Sequence, residues 1–164
     1  MKSFSFPPAG NKNAKILILG TMPGKTSLEV QEYYGYKFNS FWKIMFRLFN
    51  SDFSEDYSVR LKLLTDNKTA LWDVLKYCSR KGSADSDIKD EIPNDFKTFY
   101  RNHSKIKNVF FNGKYAMKFY EKYIGFDYDK NFQLLPSTSP ANARISFEDK
   151  LEKWSLIIKV LQNG

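Results

Sequence analysis

The sequence predicts an α/β fold in which a parallel sheet carries helices on both faces. Three observations lead there. Four short apolar runs, KILIL (Lys15–Leu19), TALW (Thr69–Trp72), NVFF (Asn108–Phe111) and FQLL (Phe132–Leu135), lack the strict alternation of half-exposed strands, as strands covered on both faces do. Segments of helical period separate them, which argues for strand–helix–strand units. Each run also ends in small or hydrogen-bonding residues, as strands that open onto a ligand crevice do.

The elements follow in order. After Lys15–Leu19, apolar residues recur at helical spacing over Ser40–Phe49 and Tyr57–Thr65. The second strand is followed by SRKGSADSDIKDEIP (Ser79–Pro93), a polar segment expected to be a surface loop. A short helix over Asp95–Tyr100 leads to the third strand, and a helix over Lys114–Tyr123 follows it. The last helix is predicted over Phe147–Gln162, with Ser146 as its N-cap and Asp149 three residues on. Neither a repeat nor a linker interrupts the 164 residues, so one domain over residues 1–164 is expected.

Composition removes several functions. The single cysteine, Cys78, excludes an internal disulfide, an iron–sulfur cluster and a multi-cysteine zinc site. It is expected to be a reduced, semi-buried thiol. No apolar run approaches the ~20 residues that span a bilayer, and no signal-peptide pattern opens the chain. A cytoplasmic protein without a membrane partner is therefore expected. The net charge of +8 concentrates polyanions, and the 17% aromatic content offers stacking surfaces for bases. Solvated lysine faces explain such a charge equally well, so charge alone does not decide for nucleic acid.

GTMPGKTS (Gly20–Ser27) resembles a phosphate-binding P-loop, with Asp73 as a metal-ligand mimic. The spacing is one residue short, and Pro23 removes an N–H from the middle of the cradle. An ATPase is thus the weakest reading. The other strand ends deliver Asp73, Asn112-Gly113 and Pro136-Ser137 to the same edge as Gly20-Thr21. Each alone is a turn former, whereas four together suggest a pocket. His103 is the only histidine and lies in the polar stretch RNHSKIK, where a surface role is expected. Without a histidine or cysteine cluster, the pocket has asparagine, serine, backbone amides and aromatics. Such groups orient a water, recognise a flat polar ring and stabilise developing charge.

Two further stretches narrow the chemistry. YYGYKFNSFW (Tyr33–Trp42) gathers six aromatics around Asn39, immediately before a helix for which Asn39 is also a candidate cap. LLPSTSPANAR (Leu134–Arg144) is a tight loop whose hydroxyls and amides suit phosphate. Taken with GTMPG, LWDVL and FFNGK, these stretches resemble the uracil-DNA glycosylase superfamily, and within it the hypoxanthine-DNA (deoxyinosine) glycosylase branch. The resemblance runs from about Ile16 to Trp154.

It implies a three-layer α/β/α fold around a four-stranded parallel sheet in the order 2-1-3-4. It also implies a monofunctional DNA glycosylase without metal or cofactor, acting on a damaged base flipped from DNA. The motifs carry roles with them. Gly20 and Met22 would line the base pocket through their backbone, Tyr34 would stack on the base, and Asn112 would bond its edge. Lys114, Ser137 and Ser139 would hold phosphates, while the loop Pro140–Arg144, with Asn142 and Arg144, would enter the groove.

Met22 stands where the uracil branch has a water-positioning Asp, and Leu135 where it has a histidine. Both departures resemble the hypoxanthine branch, whose catalytic asparagine matches Asn39. Tyr36 and Lys37 replace a common His-Pro, and Ala141 falls where some relatives have a wedge arginine. The expected activity is removal of hypoxanthine by a monomer. Uracil or G:T/U mismatch excision is the alternative, as is a DNA-binding protein that has lost turnover.

Overall fold

The computed structural model describes residues 2–164. Strand β1 (Lys2–Phe4) precedes β2 (Ile16–Gly20), and three helices follow, α1 (Lys25–Val30), α2 (Phe41–Leu48) and α3 (Tyr57–Asp66). Then come β3 (Thr69–Asp73), β4 (Leu75–Ser79), β5 (Lys89–Pro93) and α4 (Phe96–Asn102). The chain continues through β6 (Asn108–Asn112), α5 (Lys114–Tyr123) and β7 (Asn131–Leu135) to α6 (Phe147–Trp154) and α7 (Leu156–Asn163).

The four predicted runs form one parallel sheet in the order β3-β2-β6-β7, which is the expected 2-1-3-4. Side chains alternate across it. Leu17, Leu19, Ala70, Trp72, Val109 and Phe111 pack on one face with Phe96 and Phe99 of α4 and Phe119 and Tyr120 of α5. Ile16, Ile18, Leu71 and Phe110 pack on the other with Phe41, Ile44 and Met45 of α2, Leu64 of α3, Trp154 and Ile157. Two separate cores thus clamp the sheet in a three-layer α/β/α arrangement. Each fully buried Phe or Leu contributes on the order of 1.5–3 kcal/mol.

β7 departs from the expectation of full coverage. It is an edge strand, and Asn131, Gln133 and Leu134 are exposed. The opposite edge, β3, is masked by Ala9, whose N–H and C=O both pair with Leu71. The last helix also differs. It breaks at Ser155 into α6 and α7, where the Ser155 N–H donates to the Leu151 and Glu152 carbonyls and its hydroxyl donates to the Glu152 carbonyl as well. Its start agrees with the expectation, since Ser146 Oγ accepts the Asp149 N–H at 3.2 Å.

The larger correction concerns Ser79–Pro93. It is not a free loop. Its ends belong to a second sheet, antiparallel and ordered β1-β4-β5, and Lys89–Pro93 is a strand of it. The polar, charge-rich sequence masked a strand with few buried residues. Cys78 lies on β4 and is fully buried, not semi-buried.

Candidate active site

The carboxyl ends of β2, β3, β6 and β7 open into one cleft of about 1410 Å³, larger than the ~300–1,000 Å³ of a common small-ligand pocket. All ten residues singled out from the sequence line it. Gly20 and Met22 come from the loop after β2, Tyr34 and Asn39 from the aromatic stretch, and Asn112 and Lys114 from the β6–α5 junction. Ser137, Ser139, Asn142 and Arg144 come from the loop after β7. His103 is elsewhere, stacked on Phe99 at the end of α4 with Nδ1 bonded to the Phe99 carbonyl.

The floor is a buried polar network. Asn112 Nδ2 donates to the Tyr34 hydroxyl and to Thr138 Oγ1, both at 3.0 Å, and Asn112 Oδ1 accepts the Thr138 N–H at 3.0 Å. Both amide hydrogens and the oxygen of Asn112 are therefore engaged within the protein. Tyr34 adopts φ 53°, in the left-handed region that non-glycine residues rarely occupy. Its ring stacks on Phe41 at 4.1 Å, so one aromatic face is already covered. Burial, helped by Asp73, holds its hydroxyl protonated by raising its pKa above the ordinary tyrosine value.

Asp73 sits beside this network at the end of β3 and is buried. A Cβ on Gly20 would lie 2.6 Å from Asp73 Oδ1 and 2.7 Å from the Tyr34 hydroxyl. Only glycine allows the two polar groups to close on that backbone. Burial pushes the Asp73 pKa up to about 8; Asp85 adds to the rise and Arg80 opposes it. Asp73 Oδ2 has no hydrogen-bond partner among the described residues.

Met22 belongs to the buried cluster that includes Leu19 and Trp72, and it also lines the cleft. Asn39 Oδ1 accepts the Phe41 N–H at 3.0 Å, so the carboxamide closes a turn at the start of α2. The formal N-cap is Ser40, whose side chain accepts no capping bond and instead donates to the Thr138 carbonyl at 3.2 Å. Asn39 keeps an acceptor lone pair and both N–H donors beside the cleft.

The loop after β7 is stiffened from within. Ser137 Oγ accepts from Ser139 N–H, and Ser139 Oγ from Ala141 N–H, each at 3.2 Å. Asn142 Nδ2 returns to the Ser137 carbonyl at 3.1 Å. Trp154 Nε1 anchors the Pro136 carbonyl at 2.9 Å, and the buried Lys150 reaches the Ser139 carbonyl. The serine hydroxyl hydrogens remain as donors. Gly113, at φ 95°, lets this loop approach, since a Cβ there would come within 3.1 Å of Ser137 Cβ.

One wall had no signal in the sequence. Ser83, Ala84, Asp85 and Ser86 line the cleft from the β4–β5 connection. Arg80 is buried and binds the Pro23 and Ser83 carbonyls and Asp85. Ser83 Oγ accepts the Lys25 N–H at 2.8 Å, and the Thr21 hydroxyl lies close enough to Asp85 to favour its charged form. This latch consumes an N–H that a P-loop would aim at phosphate, and α1 is only six residues long. Thr138 was likewise missed, because a threonine within PSTSP is indistinguishable from an ordinary turn residue. Among the described residues, no three His, Cys, Asp or Glu side chains gather as a metal site, and no helix is long and apolar enough to cross a membrane.

Known proteins resemble this arrangement throughout. A hypoxanthine DNA glycosylase of Methanosarcina barkeri is 36% identical over 97% of this chain and 99% of its own length. One of Methanosarcina acetivorans is 36% identical over 94% and 96%. A solution NMR structure of a candidate uracil DNA glycosylase from Methanosarcina acetivorans superposes with a TM-score of 0.85 at 35% identity, covering 99% of each chain. The model of the uracil DNA glycosylase superfamily matches residues 7–162. With the sheet order, the cleft and its motifs in agreement, the chain belongs to the uracil DNA glycosylase superfamily.

Proposed function

We infer that this protein is a monofunctional DNA glycosylase that hydrolyses the N-glycosidic bond of hypoxanthine at deoxyinosine sites. One observation carries the reading. Ten residues from separate segments, each matched to a glycosylase motif, line a single cleft built on buried hydrogen bonds. The two hypoxanthine DNA glycosylases, similar over nearly the whole chain, support the choice of base.

In this reading the damaged nucleotide leaves the duplex and its base enters the cleft. Unstacking costs a few kcal/mol, less at a mispaired base. Tyr34 offers a ring already backed by Phe41. Asn112 acts chiefly by fixing Tyr34 and Thr138; donating to a base edge requires it to exchange one of its N–H bonds, while its oxygen keeps one lone pair. Backbone amides of Gly20 and Met22 face the base. Asn39 directs water to the sugar while its oxygen also holds the Phe41 N–H. Ser137, Ser139 and Lys114 take phosphates beside the lesion, and Asn142 and Arg144 reach the groove. The protein acts alone as one domain, needs no cofactor and works in the cytoplasm on DNA.

Labelled duplexes carrying one deoxyinosine, deoxyuridine, deoxyxanthosine or G:T mismatch test this, with alkali to cut abasic sites. Preferred cutting at deoxyinosine supports the reading. Preferred cutting at deoxyuridine or G:T replaces the substrate. DNA binding without cutting leaves a binding protein on the same fold.

A further inference from the structure

The floor of the cleft holds a buried carboxyl oxygen that no described residue satisfies. Asn112 has spent both N–H groups on Tyr34 and Thr138, and its oxygen already accepts the Thr138 N–H. Asp73 lines the same cleft, and its Oδ2 is buried without a partner among the described residues. A Cβ on Gly20 would lie 2.6 Å from Asp73 Oδ1, so only glycine leaves the carboxyl room beside that backbone. Buried polar atoms are almost always bonded, and one left open in a cleft marks a place for a ligand group.

The chemistry of the leaving group says which ligand group. As the bond from C1′ to the base lengthens, the electron pair moves into the base. A purine carries that charge on ring nitrogens, where a proton neutralises it. We propose that Asp73 is a catalytic acid of this site, passing its carboxyl proton to a ring nitrogen of the departing purine. This rests on the deoxyinosine reading above. The N-glycosidic electron pair goes to the base, and the Asp73 proton goes with it. Water bonds to C1′ and gives its own proton to solvent, and the Asp73 carboxylate takes one back from solvent. The sum is hydrolysis, with no other reagent.

The surroundings keep the proton available. The titratable groups around Asp73 are Asp85 and Arg80 from the β4–β5 connection, Tyr33 and Tyr34 from the aromatic stretch, and Tyr57 of α3. The three tyrosines have raised pKa values and stay neutral. Burial and Asp85 outweigh Arg80, so Asp73 remains protonated until about pH 8.

Single-turnover excision of hypoxanthine, followed from roughly pH 5.5 to 9.5, tests the proposal for wild type, Asp73→Asn and Asp85→Asn. Wild-type rate should fall as pH rises through about 8. Asp73→Asn should lose on the order of 100-fold in rate and lack the falling limb. Its affinity for a duplex carrying uncleavable 2′-fluoro-deoxyinosine should stay within about threefold of wild type. Asp85→Asn should move the limb to lower pH, and this arm with the wild-type profile decides the matter if Asp73→Asn fails to fold. Excision with no alkaline limb, or an Asp73→Asn variant that keeps the limb or loses binding as much as rate, overturns the acid role alone. A wild type that excises no base overturns the glycosylase reading and this role with it.

Discussion

Asn112 holds the Tyr34 hydroxyl, its side-chain N–H reaching 3.0 Å across the cleft floor from the end of β6 to the aromatic stretch. The same carboxamide takes the Thr138 N–H, so three segments meet on one residue. Asn112→Ala takes the Asn112 bonds from a buried N–H and two hydroxyls, at about 2 kcal/mol. Melting should fall by roughly 4–8 °C, and Tyr34→Phe, which keeps the ring stack on Phe41, should lose no more than half of that. Calorimetry on the two variants checks the order.

Gly20→Ala is a test of close approach. The new methyl meets Asp73 Oδ1 and the Tyr34 hydroxyl at under 3.0 Å, so both must shift. Displacements of about 1 Å in a preorganised site cost on the order of 100-fold in rate. Excision should drop by that much while DNA affinity stays close to wild type.

Arg80→Ala breaks the latch between the β4–β5 connection and Pro23. Removing the buried Arg80 from its half-exposed partner Asp85 and from the Pro23 carbonyl costs about 2–3 kcal/mol, because both acceptors stay behind. Lysine lacks the planar fork that binds several acceptors, so Arg80→Lys should recover less than half of the lost stability. Denaturant unfolding of both variants gives the comparison.

Asp73 also links stability to pH. Its folded pKa of about 8 lies above the ordinary carboxylate value of 3.8, so the folded chain holds a proton that the unfolded chain releases. The contribution is absent below about pH 4, where both states are protonated. It destabilises progressively as pH rises toward 8 and then levels off. Asp73→Asn should therefore melt on the order of 5 °C above wild type at alkaline pH, with the gap closing toward pH 4. Equal gaps at both ends of the range would contradict this.

Lys114 and Arg144 are exposed at the rim. If they contact phosphates, replacing either by alanine lowers the slope of log affinity against log salt by about one. Binding titrations at several salt concentrations measure it directly.

Much of this was legible beforehand, for identifiable reasons. Strands such as ILILG and NVFF are apolar on both faces, and that follows from a sheet clamped by two cores. The cleft was readable because four strand ends carry short polar residues. The β4–β5 wall was not. Its strand KDEIP exposes most of its side chains, and Arg80 reads as a surface charge until Pro23 is brought to it by the fold. Asn112 was legible as a pocket residue, but its commitment to Thr138 depends on a contact across 26 positions. Asn39 closes a turn through one lone pair of its oxygen, and the other is left for the water of the proposed reaction.

The β4–β5 connection hangs from the small antiparallel sheet, is tied by the latch to the loop after β2 and the start of α1, and rests on one core through Ile88. Lengthening such a connection costs little loop entropy, and neither core has to be rebuilt. The fold thereby separates what makes it stand from what it admits. New substrate tastes can arise by swapping a short hairpin tip, with the scaffold inherited whole.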